Sequence, residues 1–480
     1  MTILREGDTV WRIARAERMA VIVDADDYFR HARDALLKAE RRIMLVGWDF
    51  DARIRLTDGE RLPGEPETVG DFLYWLVERR PALELYLLRW DTGALKTLGR
   101  GSTFFTVLKW MRHPRIHTKL DGAHPPAASH HQKLVSIDDR FAFCGGIDMT
   151  GDRWDTRAHR DDDPGRRRPG GQPYEPWHDA TSALSGPTAT ALAELCRHRW
   201  TRATGATLDP VESATEIWPD TLAPQFSDID VGIARTLPEL TDYPAAHEIE
   251  ALFVAQIAAA RRTIYLESQY FASRKVAEAI GRRLDEADGP EIVIVNPDTA
   301  QGWLEPIAMD SARARLMQAL RRHDRHGRLR MYHPVTAGGA AIYVHAKIAF
   351  IDDTQLRIGS ANLNNRSMRL DSECDVIVEA NEREEVAAAI AALRDGLLGE
   401  HLGVDPAVVT AAIADNRSLI AGIEHLRGNG RTLVPYEVPD LAAVEAWLAD
   451  NEVLDPEGPD EMFEAFSARG LFRRLSRPKG

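Results

Sequence analysis

This sequence of 480 residues has few cysteines, a negative net charge and no long apolar run. Three cysteines without metal-binding spacing, Cys144, Cys196 and Cys374, indicate reduced thiols in a cytoplasmic protein and argue against a disulfide framework. A net charge of −14 argues against a large nucleic-acid-binding surface, so we expect no nucleic-acid partner. No apolar run approaches a membrane span, and residues 1–8 lack the apolar core of a signal peptide, so we expect no transmembrane segment.

Lysine is also rare, yet two of the eight lysines occupy equivalent places in a repeated motif. Residues 129–138 and 343–352 both fit the pattern His-x-Lys-x4-Asp. The matched residues, each pair 214 positions apart, are His131 and His345, Lys133 and Lys347, Asp138 and Asp352, Gly145 and Gly359, and Asp148 and Asn362. An arginine-rich chain that keeps lysine at both places indicates a need for a compact ammonium group rather than a planar guanidinium.

Each motif is predicted to lie on a strand that enters a hairpin, because a short apolar run is followed by an Asp-rich turn and a second strand. Residues i and i+2 of a strand face the same side, so the histidine and lysine of each motif should lie side by side. Asp138 and Asp352, at the strand ends, are expected to support the hairpins rather than to touch a substrate. Gly145, Gly359 and Ser360 would allow close approach of a ligand or a neighbouring element.

The paired motifs resemble those of the phospholipase D superfamily. The segment from His345 through Glu373 looks like that family's second catalytic block, and residues 264–271 and 176–179 resemble blocks of its phospholipid-cleaving members. The resemblance covers roughly residues 10–400. It implies an α/β fold with two similar domains, each a central mixed sheet flanked by helices, related by a pseudo-twofold duplication. One active site would then lie between the two motifs.

Weaker similarities outside the motifs fall in the same order in both halves, which supports an internal duplication. The expected organisation is a first domain at 1–205, a linker at 206–228, a second domain at 229–400, and a helical C-terminal extension with a basic tail at 401–480. Helices are predicted at 382–398 and 406–426. Residues 157–171, rich in Arg, Asp, Gly and Pro, are predicted to form a surface loop whose charges are solvated.

The resemblance also implies roles for the motif residues. One histidine would form a covalent phospho-histidine, and the other would protonate the leaving alcohol and then activate water. We assign His131 to the first role and His345 to the second, although the nearly symmetric sequence leaves the order open. Lys133, Lys347 and Asn362 would hold the phosphoryl oxygens, so no metal and no cofactor is expected.

Each histidine also needs a carboxylate to orient its second ring nitrogen. The resemblance assigns Glu373 to His345, and the best counterpart in the first half is Asp155, which follows His131 by 24 residues. Asp148 stands where the second half has an amide, and it would repel a phosphate unless paired. We therefore expect Asp148 to lie behind the phosphate-binding groups.

The predicted function is phospholipase D-type hydrolysis of the distal phosphodiester of a glycerophospholipid, with transphosphatidylation left open. The alternatives are a cardiolipin synthase-like phosphatidyltransferase, a nuclease and, least favoured, a non-enzymatic scaffold. The expected partner is phospholipid at a membrane surface, the expected location is the cytoplasm or the inner membrane surface, and two motifs in one chain favour a monomer. Aromatic residues that could line a lipid pocket are Trp48, Trp90, Trp154, Trp177, Trp303 and Tyr270, with Glu267 and Gln269 as supporting groups.

Overall fold

The computed structural model describes residues 2–91, 102–126, 128–241, 243–300 and 309–439. The helices are α1 (Ala25–Leu36), α2 (Val69–Arg79), α3 (Ser102–Trp110), α4 (Pro187–Thr204), α5 (Glu248–Ala259), α6 (Arg274–Asp285), α7 (Ser311–His323), α8 (Glu384–Leu402), α9 (Pro406–Asn416), α10 (Leu419–Leu426) and a short π-helix (Arg366–Leu370). The strands are β1 (Arg12–Val23), β2 (Arg42–Gly47), β3 (Glu84–Trp90), β4 (Ile116–Asp121), β5 (Leu134–Ile137), β6 (Phe141–Gly145), β7 (Trp177–His178), β8 (Ala180–Ser185), β9 (Phe226–Leu237), β10 (Ala246–His247), β11 (Thr263–Glu267), β12 (Glu291–Val295), β13 (Leu329–Val335), β14 (Tyr343–Val344), β15 (Ile348–Ile351), β16 (Gln355–Gly359), β17 (Glu373–Glu379) and β18 (Thr432–Pro435).

Most of these strands join one mixed sheet whose order matches on the two sides of its centre. The order is β4-β3-β2-β5-β6-β8-β1-β9-β17-β16-β15-β11-β12-β13-β18, and β7 pairs separately with β14. In the first half β2, β3 and β4 run parallel, and in the second half β11, β12 and β13 do the same. The predicted α/β class with a central mixed sheet is therefore confirmed, and the strand order is the one a duplication would leave.

The two halves meet at the antiparallel pair β1 and β9. Alternation along β1 divides its side chains between two layers: Met19 belongs to a core that includes residues of both halves, whereas Ala20 belongs to a core of the first half. The shared core also contains Val231 of β9 and Leu398 of α8. A third core belongs mainly to the second half. Because apolar surface is buried without interruption across β1 and β9, the halves pack as one body.

The segment between the halves is more ordered than a linker. Ile217, Trp218 and Leu222, inside the predicted linker 206–228, are buried in the core of the first half. The indole N–H of Trp218 donates to the Leu222 carbonyl oxygen at 2.7 Å. Strand β9 begins at Phe226, before the end of the predicted linker. The apolar side chains of this segment therefore fasten it to the domain that precedes it.

The C-terminal extension is not purely helical, because β18 adds to the sheet beside β13. The helix predicted at 406–426 is two helices: Arg417 takes a left-handed conformation with φ 52°, and the Ser418 side chain caps α10. The predicted basic tail lies outside the described residues. Within the described ranges no single helix is long and apolar enough to span a membrane. Only α8 and α9 counted together reach that length and composition, with a bend of 105° between them.

Candidate active site

The two motif segments lie beside segments of the opposite half. The backbone N–H of His131 donates to the Ser372 carbonyl oxygen at 2.9 Å, and that of His345 donates to the His178 carbonyl oxygen at 2.7 Å. The second contact extends the parallel pairing of β14 with β7, and a parallel bridge from His130 to Ser372 is its counterpart in the first motif. The exchange of backbone hydrogen bonds brings both motifs to the joint between the halves.

Each motif histidine takes its carboxylate from the other half. His131 Nδ1 lies 2.9 Å from Glu373 Oε1, and His345 Nδ1 lies 2.6 Å from Asp179 Oδ2. The prediction that Glu373 orients His345 is therefore wrong, as is the prediction that Asp155 orients His131. Since neither half holds both a motif histidine and the carboxylate that orients it, the site depends on how the halves are joined.

Strand register shows why Asp179 escaped detection in the sequence. Asp179 stands two residues before Thr181, which pairs with Gly145. Glu373 stands two residues before Asp375, which pairs with Gly359 in the same way. The first half has about 20 more residues between its glycine and its carboxylate, so a constant offset of 214 residues does not match them. The Trp-His-Asp block ending at Asp179 was the available signal.

The 157–171 loop lies where that insertion occurs, and its charges are not all solvated. His159 and Arg166 are buried, and both contact the Asp155 carboxylate, which also accepts the backbone N–H of Trp177 at 3.0 Å. Asp161 accepts the backbone N–H of Gly338 at 2.7 Å. The loop thus connects the two halves through Asp161, and Asp155 holds the loop in place through His159 and Arg166.

The two lysines have different partners. Lys133 Nζ donates to the His131 carbonyl oxygen at 2.9 Å and lies 3.2 Å from Asp148 Oδ2. Asp148 also accepts the backbone N–H of Trp48, so it is paired and lies behind the lysine. Lys347 Nζ donates to the His345 carbonyl oxygen, and among the described residues it makes no ion pair within 4.0 Å.

Asn362 occupies the second-half position that corresponds to Asp148. Its Nδ2 lies 3.5 Å from Gln269 Oε1, and its own buried Oδ1 has no hydrogen-bond partner among the described residues. Gln269 Nε2 in turn donates to the Tyr343 hydroxyl at 2.9 Å. An amide at this position leaves the Lys347 side of the site without the negative charge that Asp148 places beside Lys133.

Burial controls the ionisation of these groups. Burial, reinforced by neighbouring ammonium groups, lowers the pKa of both His131 and His345 well below the usual value, so both rings are neutral at neutral pH. Burial lowers the pKa of Lys347 to about 7, although nearby carboxylates oppose the shift. Burial raises the pKa of Glu373 to about 8. Burial also acts to raise the pKa of Asp179, but His345 and Lys347 outweigh it and lower that pKa to about 2.

The motif aspartates support the hairpins. Asp138 accepts the backbone N–H groups of residues 40–42 at 2.7–2.8 Å, and Asp352 accepts those of residues 261–263. Both aspartates take positive φ, 52° and 53°, at the start of the turn. Each therefore fixes its hairpin to the start of the neighbouring strand, β2 or β11. These contacts are with backbone N–H groups and not with the motif histidines or lysines.

The small residues after the hairpins serve packing and orientation. A Cβ at Gly145 or Gly359 would collide with Thr181 or Asp375 of the paired strand, so these glycines admit a neighbouring strand rather than a ligand. The Ser360 hydroxyl donates to Glu373 Oε2 at 2.5 Å. The second Glu373 oxygen accepts the hydroxyl of Ser367 at 2.7 Å, a contact that no sequence pattern indicated.

One of the predicted aromatic residues, Trp177, contacts a motif histidine. Trp177 contacts the His345 ring at a centroid distance of 5.1 Å, and the Arg153 guanidinium lies 4.2 Å from the Trp177 ring. The sequence did not indicate Arg153. Its charge also lowers the pKa of His345, although burial and Lys347 have larger effects. Of the other predicted aromatic residues, Trp48 stacks on Trp90, Trp154 donates a hydrogen bond to Asp26, and Tyr270 is hydrogen-bonded to Gln269. Trp303 lies outside the described residues.

Comparisons with known proteins find a matching family model and relatives that align with most of the chain. A family model described as "Cardiolipin synthase, PLD-like domain" matches residues 253–393. Phospholipase D A of Dictyostelium discoideum is 24% identical and aligns with 80% of this chain and 36% of its own length. Phospholipase D alpha 1 of Carica papaya is 24% identical and aligns with 77% of this chain and 63% of its own length. The chain belongs to the phospholipase D superfamily.

A solved structure shows the same fold over most of the chain. The crystal structure of phosphatidylserine synthase from Haemophilus influenzae superposes with a TM-score of 0.54 at 12% identity, covering 80% of this chain and 88% of that one. The chain spans between about a third and just under two thirds of the two curated relatives. The similarity to the two phospholipases D therefore concerns only the aligned part of each.

Proposed function

We propose that this protein is a phospholipase D-type enzyme that hydrolyses the distal phosphodiester of glycerophospholipids. The observation that carries the proposal is the crossed arrangement: two neutral histidines, each oriented through Nδ1 by a carboxylate of the other half, beside two buried lysines. Attack on a phosphodiester and departure of its alcohol occur on opposite sides of phosphorus. A pair of histidines with independent supports fits that requirement.

The first half-reaction uses His131 as the nucleophile. Its neutral ring, held through Nδ1 by Glu373, leaves Nε2 to attack phosphorus. The P–N bond forms while the bond from phosphorus to the head-group oxygen breaks, and the proton on His345 Nε2 passes to that oxygen. His345 must therefore be protonated when substrate is bound. The phosphodiester charge and the ionised Asp179 both favour that imidazolium.

The second half-reaction reverses the roles. His345, now neutral, removes a proton from water as the oxygen attacks phosphorus, the P–N bond breaks, and phosphatidic acid leaves with His131 restored. Lys133 and Lys347 supply positive charge to the phosphoryl oxygens in both steps, with the Asn362 amide as a further donor. The difference between hydrolysis and transfer lies only in which molecule, water or an alcohol, reaches His345.

Phosphatidyl transfer is the second candidate function. The family model that matches residues 253–393 has cardiolipin synthase in its description, which favours an alcohol acceptor. Phosphatidylcholine vesicles incubated with the protein, with and without glycerol or a primary alcohol, separate the two candidates. Phosphatidic acid as the main product in the presence of excess alcohol supports hydrolysis, whereas a dominant phosphatidyl alcohol supports transfer.

A parallel digestion of single-stranded DNA completes the experiment. Absence of lipid turnover over a panel of head groups by folded protein would overturn the phospholipase proposal. DNA cleavage that disappears in His131→Ala would replace it with nuclease activity. His323→Ala, a change at an exposed histidine paired with Asp285, is the matched control and should behave as wild type in every arm.

A further inference from the structure

Apart from the two motifs, four buried side chains from distant parts of the chain converge on one point. They are Asp24 after β1, His159 in the 157–171 loop, His178 in β7 and Glu400 in α8. Glu400 Oε1 lies 2.8 Å from His178 Nδ1 and 3.1 Å from His159 Nε2. Asp24 completes the group, with Oδ1 3.3 Å from His178 Nδ1 and Oδ2 3.5 Å from His159 Nε2.

These distances match a tetrahedral metal site. Bonds of about 2.0–2.1 Å from zinc to nitrogen and oxygen place neighbouring ligand atoms roughly 3.3 Å apart in a tetrahedron. The separations from Glu400 Oε1 to the two histidine nitrogens, 2.8 and 3.1 Å, and from the nearer Asp24 oxygen to each of them, 3.3 and 3.5 Å, bracket that value. His178 Nδ1 and Asp24 Oδ2 are buried and lie within 3.5 Å of opposing groups of the cluster, yet neither forms a hydrogen bond of good geometry among the described residues. Buried ligand atoms that lie this close together without well-formed hydrogen bonds indicate that hydrogen bonding alone does not account for the cluster.

The outer contacts have the form that metal-binding histidines require. His159 donates through its other nitrogen, Nδ1, to Asp155 at 3.0 Å, and His178 Nε2 lies 2.8 Å from Glu267. Each imidazole is thus oriented by a carboxylate on the side away from the centre, which fixes its tautomer and increases its basicity as a ligand. The second oxygen of Glu400 accepts the Arg157 Nε–H at 2.5 Å.

We propose that Asp24, His159, His178 and Glu400 bind a divalent transition metal, with zinc the best fit, at a structural site. Two imidazoles and two carboxylates complete a tetrahedron without an open position, so the ion would have no place for substrate. Three ligands belong to the first half and Glu400 to the second, so the metal would clamp the two halves together. His178 immediately precedes Asp179, so the same ion would hold the carboxylate that orients His345.

The test begins with the metal content of the full-length chain, purified with its affinity tag removed. Mass spectrometry should find about one zinc per chain after reconstitution and dialysis. His159→Gln and Glu400→Gln should each reduce that content at least about tenfold, given the loss of one of four ligands. His130→Gln is the matched control: it removes another buried histidine bonded to a carboxylate, Asp121, and should keep full metal content.

A second measurement avoids reliance on the variants' folding. Wild-type protein unfolded with a chelator and refolded without metal should melt several degrees lower than protein refolded with zinc, because an ion that binds only the folded state stabilises it. Cobalt in place of zinc should give the visible absorption of a tetrahedral site. Metal content below about a tenth of an equivalent, or equal metal in wild type and His159→Gln, would overturn the proposal. Equal melting temperatures with and without zinc would overturn it as well. The four side chains would then be held together as ion pairs between protonated histidines and carboxylates. All these readouts are independent of lipid turnover.

Discussion

The two halves of the molecule share a strand order but differ in the charges around their motifs. In the first half, Lys133 is paired with Asp148. In the second half an amide, Asn362, takes the place of that aspartate. The carboxylates that orient the two histidines also differ. Burial raises the pKa of Glu373 to about 8, whereas the pKa of Asp179 is lowered to about 2. Duplication thus supplies two equivalent histidine positions, and individual side chains give those positions different chemistry.

The largest expected effect comes from removing either histidine. His131→Ala and His345→Ala should each lower turnover of a natural diester by roughly 10³- to 10⁶-fold, and the double variant should be no worse than the singles, because the two act as a unit. Circular dichroism and melting curves check that the variants fold. Near wild-type turnover in either variant would contradict a shared site.

A substrate with an activated leaving group turns the same variants into a test of their roles. Such an alcohol needs no proton, so His345→Ala should still release one equivalent in a burst and accumulate a phosphoryl adduct on His131. His131→Ala should give no burst. Peptide mapping of acid-quenched protein locates the adduct, and an adduct on His345 in wild-type protein would reverse the assignment.

The crossed carboxylates should come next in size. Asp179→Asn and Glu373→Gln each keep the shape of the side chain but lose the negative charge that orients a histidine, and should lower kcat by about 10²- to 10⁴-fold. Asp285→Asn, which removes an exposed carboxylate from His323, is the control and should stay within about twofold of wild type. Steady-state kinetics on a vesicle substrate measure the loss. A change below tenfold in both variants would mean that the crossing serves folding alone.

The pH dependence should reflect the contrast between buried Glu373 and buried Lys347. The active free enzyme needs Glu373 ionised and Lys347 protonated. Protonation of Glu373 therefore lowers kcat/KM as the pH falls below about 8, and loss of the Lys347 proton lowers it as the pH rises above about 7. A narrow maximum between pH 7 and 8 is expected. A profile that is flat from pH 6 to pH 9 would contradict this account.

The smallest effect should be equal in the two halves. Asp138→Asn and Asp352→Asn each weaken a carboxylate that accepts three backbone N–H groups, so each should lower the free energy of unfolding by about 1.5–3 kcal/mol. Urea denaturation measures the change. Residual protein that is folded should retain most of its kcat. A loss of kcat as large as that of the histidine variants would place these aspartates in the chemistry.

The sequence by itself determined the repeat, the hairpins and the chemical type of the site. These features rest on local signals: short apolar runs, turn residues, and two histidines and two lysines at matched offsets. The histidines and lysines themselves lie just before β5 and β15 and not on those strands. The sequence also predicted that Asp138 and Asp352 support the hairpins, but their backbone partners, 89–98 residues earlier in the chain, came from the tertiary structure.

Only the tertiary structure decided which carboxylate serves which histidine. Glu373 and His131 are 242 residues apart, and Asp179 and His345 are 166 apart, so no local pattern links the members of either pair. The antiparallel joint of β1 with β9 brings the halves together, and the parallel contacts of each motif with the opposite half select the partners. The buried cluster around Glu400 has the same origin, since Glu400 of the second half meets Asp24, His159 and His178 of the first half only where the two halves pack together.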